Sequence, residues 1–334
     1  MPDRVYDHVL SFALDHPWAI TRPMLSVIAG ILARRVAGEE TDQTVLAAAL
    51  VNRKNLPQPV QGSVGIIPVY GVLSPRMTMM SEMSGGTTYE KLSGQLREAM
   101  SNKAIKTVVL DIDSPGGSVA GVSEFAREVM KARTRKPIIA QVQYTGASAA
   151  YWIAAAATKI VAAPSAQVGS IGVLAMHDDM TEALAKLGVK RQIFSAGKHK
   201  GEGFMGSALT EEAIAHITAS VDEAYARFVG DVVKGRGQGM AGEKVRNDWK
   251  ALVYGADEAL AIGMIDEIAT LDDTLARLLN ESSADPKSRA SLDAQQAAHS
   301  SSTPDTAQEP LPATAQDRAS DADLEHALFE MNLN

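Results

Sequence analysis

From Ser63 onward, short runs carrying apolar and β-branched residues alternate with longer runs whose apolar residues recur every three or four. Val64 to Leu73, Ile105 to Ile112, Pro137 to Val142, Lys159 to Ala162, Val168 to Leu174, Lys190 to Phe194 and Met264 to Ile268 are of the first kind. Runs of this sort mark strands buried on both faces. Thr88 to Ser101, Val119 to Arg133, Asp179 to Leu187, Thr210 to Lys234, Ala256 to Ile262 and Leu271 to Leu279 are of the second kind and predict helices. Strands each followed by a helix define an α/β domain. In the longest helix Thr210 is the predicted cap, and Glu211 and Glu212 suit its first turn. Ile214, Ile217, Val221, Phe228 and Val232 form the stripe expected to face the core.

The two ends read differently. Residues 1 to 60 break at Pro17, Pro23 and Pro57, and Leu25, Ile28 and Leu32 with Ala29 and Ala33 have helical spacing, so a small helical arm is expected there. Nothing catalytic stands out in it. Asn55 to Ser63 turns to Pro, Gln and Gly and reads as a linker into a main domain spanning 61 to 280. Between Glu281 and Ser320 the large apolar side chains are Leu292 and Leu311, too few to offset the entropy of ordering, so a disordered tail is expected. Asp321 to Asn334 recovers a stripe through Leu324, Leu328 and Met331 and reads as a short docking helix or a frayed end.

Composition narrows the chemistry. The 334 residues include no cysteine, which excludes disulfides, thiolate metal sites and a cysteine nucleophile. A net charge of −8 argues against nucleic acid or an anionic membrane as the main partner. Met24 to Ala33 is far shorter than the roughly 20 residues a bilayer span needs, and no signal peptide is expected. The expected setting is therefore the cytoplasm, with protein or small-molecule substrates, and neither a metal nor a cofactor is implied.

One stretch carries a candidate for chemistry. Gly146-Ala147-Ser148-Ala149 follows the apolar run ending at Val142 and opens the small-residue helix Ala149 to Ala157. A serine at a helix start is commonly an N-cap. The preceding strand, the glycine and the helix dipole also suit a nucleophile. A hydroxyl needs a base, and His177 and His199 are the histidines within reach of the domain, neither in a triad-like context. Lys200, on a glycine-flanked segment, is the alternative, although spacing alone reads it as a surface lysine first. Asp113-Ser114-Pro115-Gly116-Gly117-Ser118 ends a strand and offers backbone N–H groups to an anion, or is simply a tight connection.

Taken together, Asp111-Ile112-Asp113-Ser114-Pro115-Gly116-Gly117, Gly146-Ala147-Ser148-Ala149-Ala150-Tyr151, Val168-Gly169-Ser170-Ile171-Gly172-Val173, Ser195-Ala196-Gly197-Lys198-His199-Lys200 and Val253 to Asp266 resemble the signal peptide peptidase A (SppA) family. The resemblance covers roughly residues 63 to 270. It implies a ClpP/crotonase-like fold, with repeated β-β-α units forming a stacked sheet core and helices outside. It also implies Ser148 as nucleophile, Lys200 as general base, Ser170 as the serine that helps hold the lysine, and Gly117 with Ala149 as oxyanion donors.

In short members of that family the serine and lysine of one site can come from adjacent subunits, so a homo-oligomer is implied. A helical arm and long tail without a membrane anchor are more similar to the phage branch, the prohead and capsid-maturation proteases. That branch implies a Ser-Lys serine endopeptidase acting on scaffold, portal or capsid proteins, and on its own tail, in the host cytoplasm or inside the prohead. A cytosolic SppA-like peptidase degrading peptides, a non-catalytic assembly module that keeps the fold, and a crotonase-type acyl-CoA enzyme are the alternatives.

Overall fold

The computed structural model describes residues 17–36, 60–76, 86–190, 192–203, 208–237 and 239–283. The predicted docking helix and tail beyond residue 283 lie outside the described residues, as does the linker up to residue 59.

In chain order the strands are β1 (Trp18–Ile20), β2 (Val60–Gln61), β3 (Val64–Tyr70), β4 (Leu73–Ser74), β5 (Thr87–Thr88), β6 (Thr107–Ser114), β7 (Gly116–Ser118), β8 (Ile138–Ala147), β9 (Lys159–Ala162), β10 (Gln167–Gly169), β11 (Val253–Gly255) and β12 (Glu267–Ile268). The helices are α1 (Arg22–Val36), α2 (Tyr89–Ser101), α3 (Val122–Ala132), α4 (Ala149–Ala155), α5 (Thr181–Lys186), α6 (Glu211–Arg236), α7 (Ala256–Ala261) and α8 (Leu271–Ser283), with one π-helical turn at Lys244–Asp248. The main sheet runs β11-β10-β8-β6-β3-β2, and β9 pairs with the first half of β8 and with β12. A second sheet runs β1-β7-β4-β5. The expected β-β-α repetition is what the chain builds, since β3, β4, β5 and α2 are followed by β6, β7 and α3.

The uninterrupted apolar runs behave as two-faced strands. Val108, Leu110 and Ile112 face one core with Leu92, Phe125, Trp152 and Phe228, whereas Val109, with Val64, Ile66 and Ile139, faces another closed by Leu275 and Leu278 of α8. Local signals also hold. Thr88 caps α2 by accepting from the Lys91 N–H (3.2 Å), and Thr210 caps α6 by accepting from the Ala213 N–H (3.1 Å).

Three expectations need correction. Residues 190 and 192–194 form no strand, and Phe194 is 90 % exposed. A strand forms only where a neighbour completes its ladder, and among the described residues this segment has none. The predicted stripe of α6 is core only toward its C-terminal half: Phe228 and Val232 are buried, Ile217 and Val221 are half-buried, and Ile214 is exposed. The N-terminal arm is not wholly helical, because Trp18–Ile20 is a strand of the second sheet ahead of α1.

Asp111 is buried in the middle of β6, where the Tyr70 hydroxyl donates to its Oδ2 and the Gln143 Nε2 donates to its Oδ1 at 2.6 Å. Burial nonetheless pushes its carboxyl above the ordinary 3.8, against the pull of those two hydrogen bonds. The folded chain thus holds this proton more tightly than the unfolded one. The resulting stabilisation is complete below the ordinary value and is lost as pH climbs through the raised folded value. Asp111→Asn removes that dependence, so thermal melting from about pH 4 to neutrality is expected to show the wild type losing ground to the variant as pH rises. A pH-independent difference in Tm would contradict this.

Candidate active site

Ser148 stands at the C-terminal edge of the parallel strands, the side on which open α/β sheets place their sites. It follows β8 directly and precedes α4, all seven residues of which are buried. Only small side chains at most positions let a helix sit this deep against the sheet. Ser148 itself has φ 56 and ψ −120, a left-handed conformation that costs an L-residue on the order of 1–3 kcal/mol and persists only where surroundings enforce it. Here they do. The Ser148 N–H donates to the Gly169 carbonyl at 2.8 Å, its own carbonyl accepts from the Trp152 N–H at 2.9 Å, and β10 is paired in parallel with the last three residues of β8.

The hydroxyl is not spent as a cap. Ser148 is the N-cap residue of α4 but makes no side-chain capping bond, and its Oγ instead donates weakly, at 3.5 Å, to the Gly172 carbonyl. Gly116 lies against it with φ 103. A methyl there would run into the Ala19 carbonyl oxygen, and would come within 2.9 Å of Ser148 Cβ and 3.0 Å of Ala149 N. Only glycine permits this approach. The Ala149 N–H, in the first turn of a helix and so with no intrahelical partner, lies next to Ser148 on the side that Gly116 leaves open.

The other predicted donor is placed differently. The Thr21 N–H donates to the Pro115 carbonyl (3.1 Å), the Val119 N–H donates to the Pro17 carbonyl (3.3 Å), and Ala19 is paired with Gly117 midway between them. Antiparallel ladders alternate, so Gly117 turns its N–H toward Ala19 in β1. Ser170 is half-buried at φ 54, with its N–H on the Leu252 carbonyl (2.7 Å) and, among the described residues, no hydrogen bond from its hydroxyl.

Lys200 is not brought to Ser148 within one chain. Ser148 is fully buried, whereas Lys200 is exposed on a turn in which its N–H donates to the Gly197 carbonyl (3.1 Å), and no hydrogen bond joins the two side chains. Among the described residues no histidine hydrogen-bonds Ser148 either. His199 lies at the surface with its Nδ1 2.5 Å from Glu202, whose other oxygen is 2.8 Å from His216 Nδ1. That carboxylate raises the His199 pKa, and the two imidazoles hold Glu202 below the ordinary carboxylate range. His199, Glu212 and His216 set ligand atoms within 4.8 Å of one another, the group among the described residues with metal-ligand spacing. His199 lies on the Lys200 turn, and Glu212 and His216 lie in the first turns of α6.

Sequence reasoning missed Gly172, which acts through its carbonyl, and β1, whose three apolar residues are too few to show a period.

A serine at positive φ between a parallel strand and a buried helix defines an α/β protein with a sharp strand-to-helix turn at Ser148. The family model of Peptidase family S49 matches residues 130–285. Capsid assembly protease C of Escherichia phage lambda is 28 % identical over 284 residues, 80 % of this chain and 64 % of that one. Head-tail preconnector protein GP5 of Enterobacteria phage P21 is 30 % identical over 217 residues, covering 65 % and 43 %. A putative signal peptide peptidase SppA of Enterococcus faecium is 33 % identical over 188 residues, covering 56 % and 54 %. The chain spans less than two thirds of the length of each of these relatives. The resemblance to SppA-type peptidases and their phage relatives is thus borne out. No helix among the described residues is long and apolar enough to cross a membrane.

Gly169 holds φ 128, supplies the carbonyl that fixes Ser148, and would drive any Cβ into the Leu252 carbonyl. Gly169→Ala is expected to cost about 1–3 kcal/mol, read as a Tm lower by several degrees. It should also release the serine from its turn, read as loss of reaction with a fluorophosphonate probe in protein that is still folded. Unchanged melting and labelling would contradict the role given to this carbonyl.

Proposed function

We propose that this chain is a serine endopeptidase of phage head maturation, with Ser148 as nucleophile and Lys200 of a neighbouring copy as general base. The observation that carries the reading is the Ser148 hydroxyl, held in a left-handed turn, uncapped, with the Ala149 N–H at its side. The relatives named as capsid assembly protease and preconnector protein support the setting. Scaffold, portal or capsid proteins are the proposed substrates, and the chain's own tail is another.

Several features support a site shared between copies. Helix α5 buries none of its residues, Leu187, Val189, Ile193 and Phe194 beside it are exposed, and the apolar stripe of α6 continues outward to Ile214. Exposed apolar side chains in this number are what an interface would cover. These residues flank Lys200 in the chain, α5 to Phe194 before it and Ile214 after it. Docking them on a second copy would carry the lysine away from its own serine and toward the neighbour's, where Ser170 is the proposed hydroxyl that orients it. Burial of an amine favours its neutral form, the state a base requires.

The chemistry is then acyl transfer. The neutral amine takes the Ser148 proton as Oγ bonds to the scissile carbonyl carbon, and the resulting oxyanion accepts from Ala149 N–H and from Gly117 N–H. The intermediate collapses with C–N cleavage, the ammonium returning its proton to the leaving amine. Water, deprotonated by the same amine, hydrolyses the ester.

Shared sites make a specific prediction. Ser148→Ala and Lys200→Ala are each expected to abolish cleavage of an alanine-rich fluorogenic peptide. Mixing the two inactive proteins under conditions that let subunits exchange is expected to restore part of the activity, since sites form that take serine from one and lysine from the other. Activity that never returns on mixing, from a protein that exchanges subunits, would contradict the sharing. Activity that survives Ser148→Ala would remove the serine from its role.

A further inference from the structure

We infer that residues 17–21 are a displaceable occupant of a peptide slot beside Ser148, so that the N-terminal arm holds the site shut until a protein substrate takes its place. The inference rests on the peptidase reading and adds a regulator to it.

Strand β1 is hydrogen-bonded along both edges. Toward β7, the Thr21 N–H donates to the Pro115 carbonyl, the Val119 N–H donates to the Pro17 carbonyl, and Ala19 lies opposite Gly117. Toward the other wall, Trp18 and Leu174 exchange both bonds, at 2.8 and 2.9 Å. Successive residues thus address opposite walls, the pattern of an extended peptide added to a sheet. Both walls are parts of the site. Gly116 backs onto Ser148 Cβ and the Ala149 amide, and Gly172, two residues before Leu174, accepts from the Ser148 hydroxyl. The Ala19 carbonyl presses on Gly116 from the slot.

Two further observations favour a replaceable occupant over a fixed part of the sheet. The strand is three residues long, bounded by Pro17 and by the start of α1, and while Ala19 touches the main core, the large side chains of Trp18 and Ile20 pack with Leu25 and Ile28 in a satellite cluster apart from the two main cores. A strand this short gives up few ladder bonds when it leaves, so it opens locally at lower cost than a long core strand. The occupant also blocks the chemistry, because the Gly117 N–H proposed for the oxyanion is turned to Ala19 while β1 is seated. Ala19, fully buried on the rung opposite Gly117, shows what the slot accepts there: an extended, uncharged segment with a small side chain.

The chain has no cysteine, so a reversible lock can be built without competing thiols. Trp18 and Ser118 face each other on a rung without hydrogen bonds, where Cα atoms stand ~4.5 Å apart, within disulfide reach. In full-length protein carrying Trp18→Cys with Ser118→Cys, oxidation is expected to lower cleavage of an alanine-rich peptidyl aminomethylcoumarin at least ten-fold, on the order expected when the open state becomes rare, and reduction to restore it. Ala19→Pro, which removes a rung donor, is expected to raise kcat/KM on the order of ten-fold through KM, with kcat unchanged, as the competent state gains population. Equal activity of the oxidised and reduced lock, or Ala19→Pro protein that melts like wild type and cleaves no faster, would overturn the proposal. Cleavage by wild type that Ser148→Ala abolishes reports on the peptidase reading alone, whereas dependence on the disulfide reports on the strand.

Discussion

The hydrogen bond from the Ser148 N–H to the Gly169 carbonyl is the constraint on which the site depends. It joins the end of β8 to the end of β10 and turns the chain abruptly into α4, so the one residue at the corner is forced to a positive φ. Everything around that corner is small. Gly116, Gly169 and the alanines of α4 let two backbone segments and a helix converge where larger side chains would collide. The strain is compensated by the buried helix behind it, whose Trp152 stacks on Phe228 of α6 at 4.3 Å and donates to the buried Asp231 at 3.1 Å.

The same geometry explains why one copy of the chain holds half of the proposed machinery. The serine is sealed in the core, and the lysine lies on a surface turn at the end of a stretch whose apolar residues have no cover. Exposed Leu187 and Phe194, an α5 that buries none of its residues and a stripe on α6 that runs past the core are what the proposed neighbouring copy would cover. On this account self-association both buries apolar surface and completes the chemistry, which confines activity to the assembled state.

Much of the fold was legible because its signals are local. Thr88 and Thr210 cap the helices they were expected to cap, and the strand Lys159–Ala162 has the bounds its apolar run suggested. What failed depends on partners distant in sequence or in another molecule. Residues 190 and 192–194 read as a strand but, among the described residues, have no ladder to join, and Ile214 has helical spacing but is exposed. Ser148 was legible as a candidate, yet its alternative as a plain N-cap could be set aside only by seeing that its hydroxyl makes no capping bond. Gly172 and Gly169 act through backbone carbonyls and Ala19 through its register, none of which a side-chain motif records.

The most direct measurement is the mass of the intact, assembled protein after reaction with a fluorophosphonate, followed by mapping of the adduct. The account predicts one adduct per reactive chain, on the peptide that carries Ser148, and none after Ser148→Ala. An adduct on another residue, or an assembled protein that stays unmodified, would contradict it.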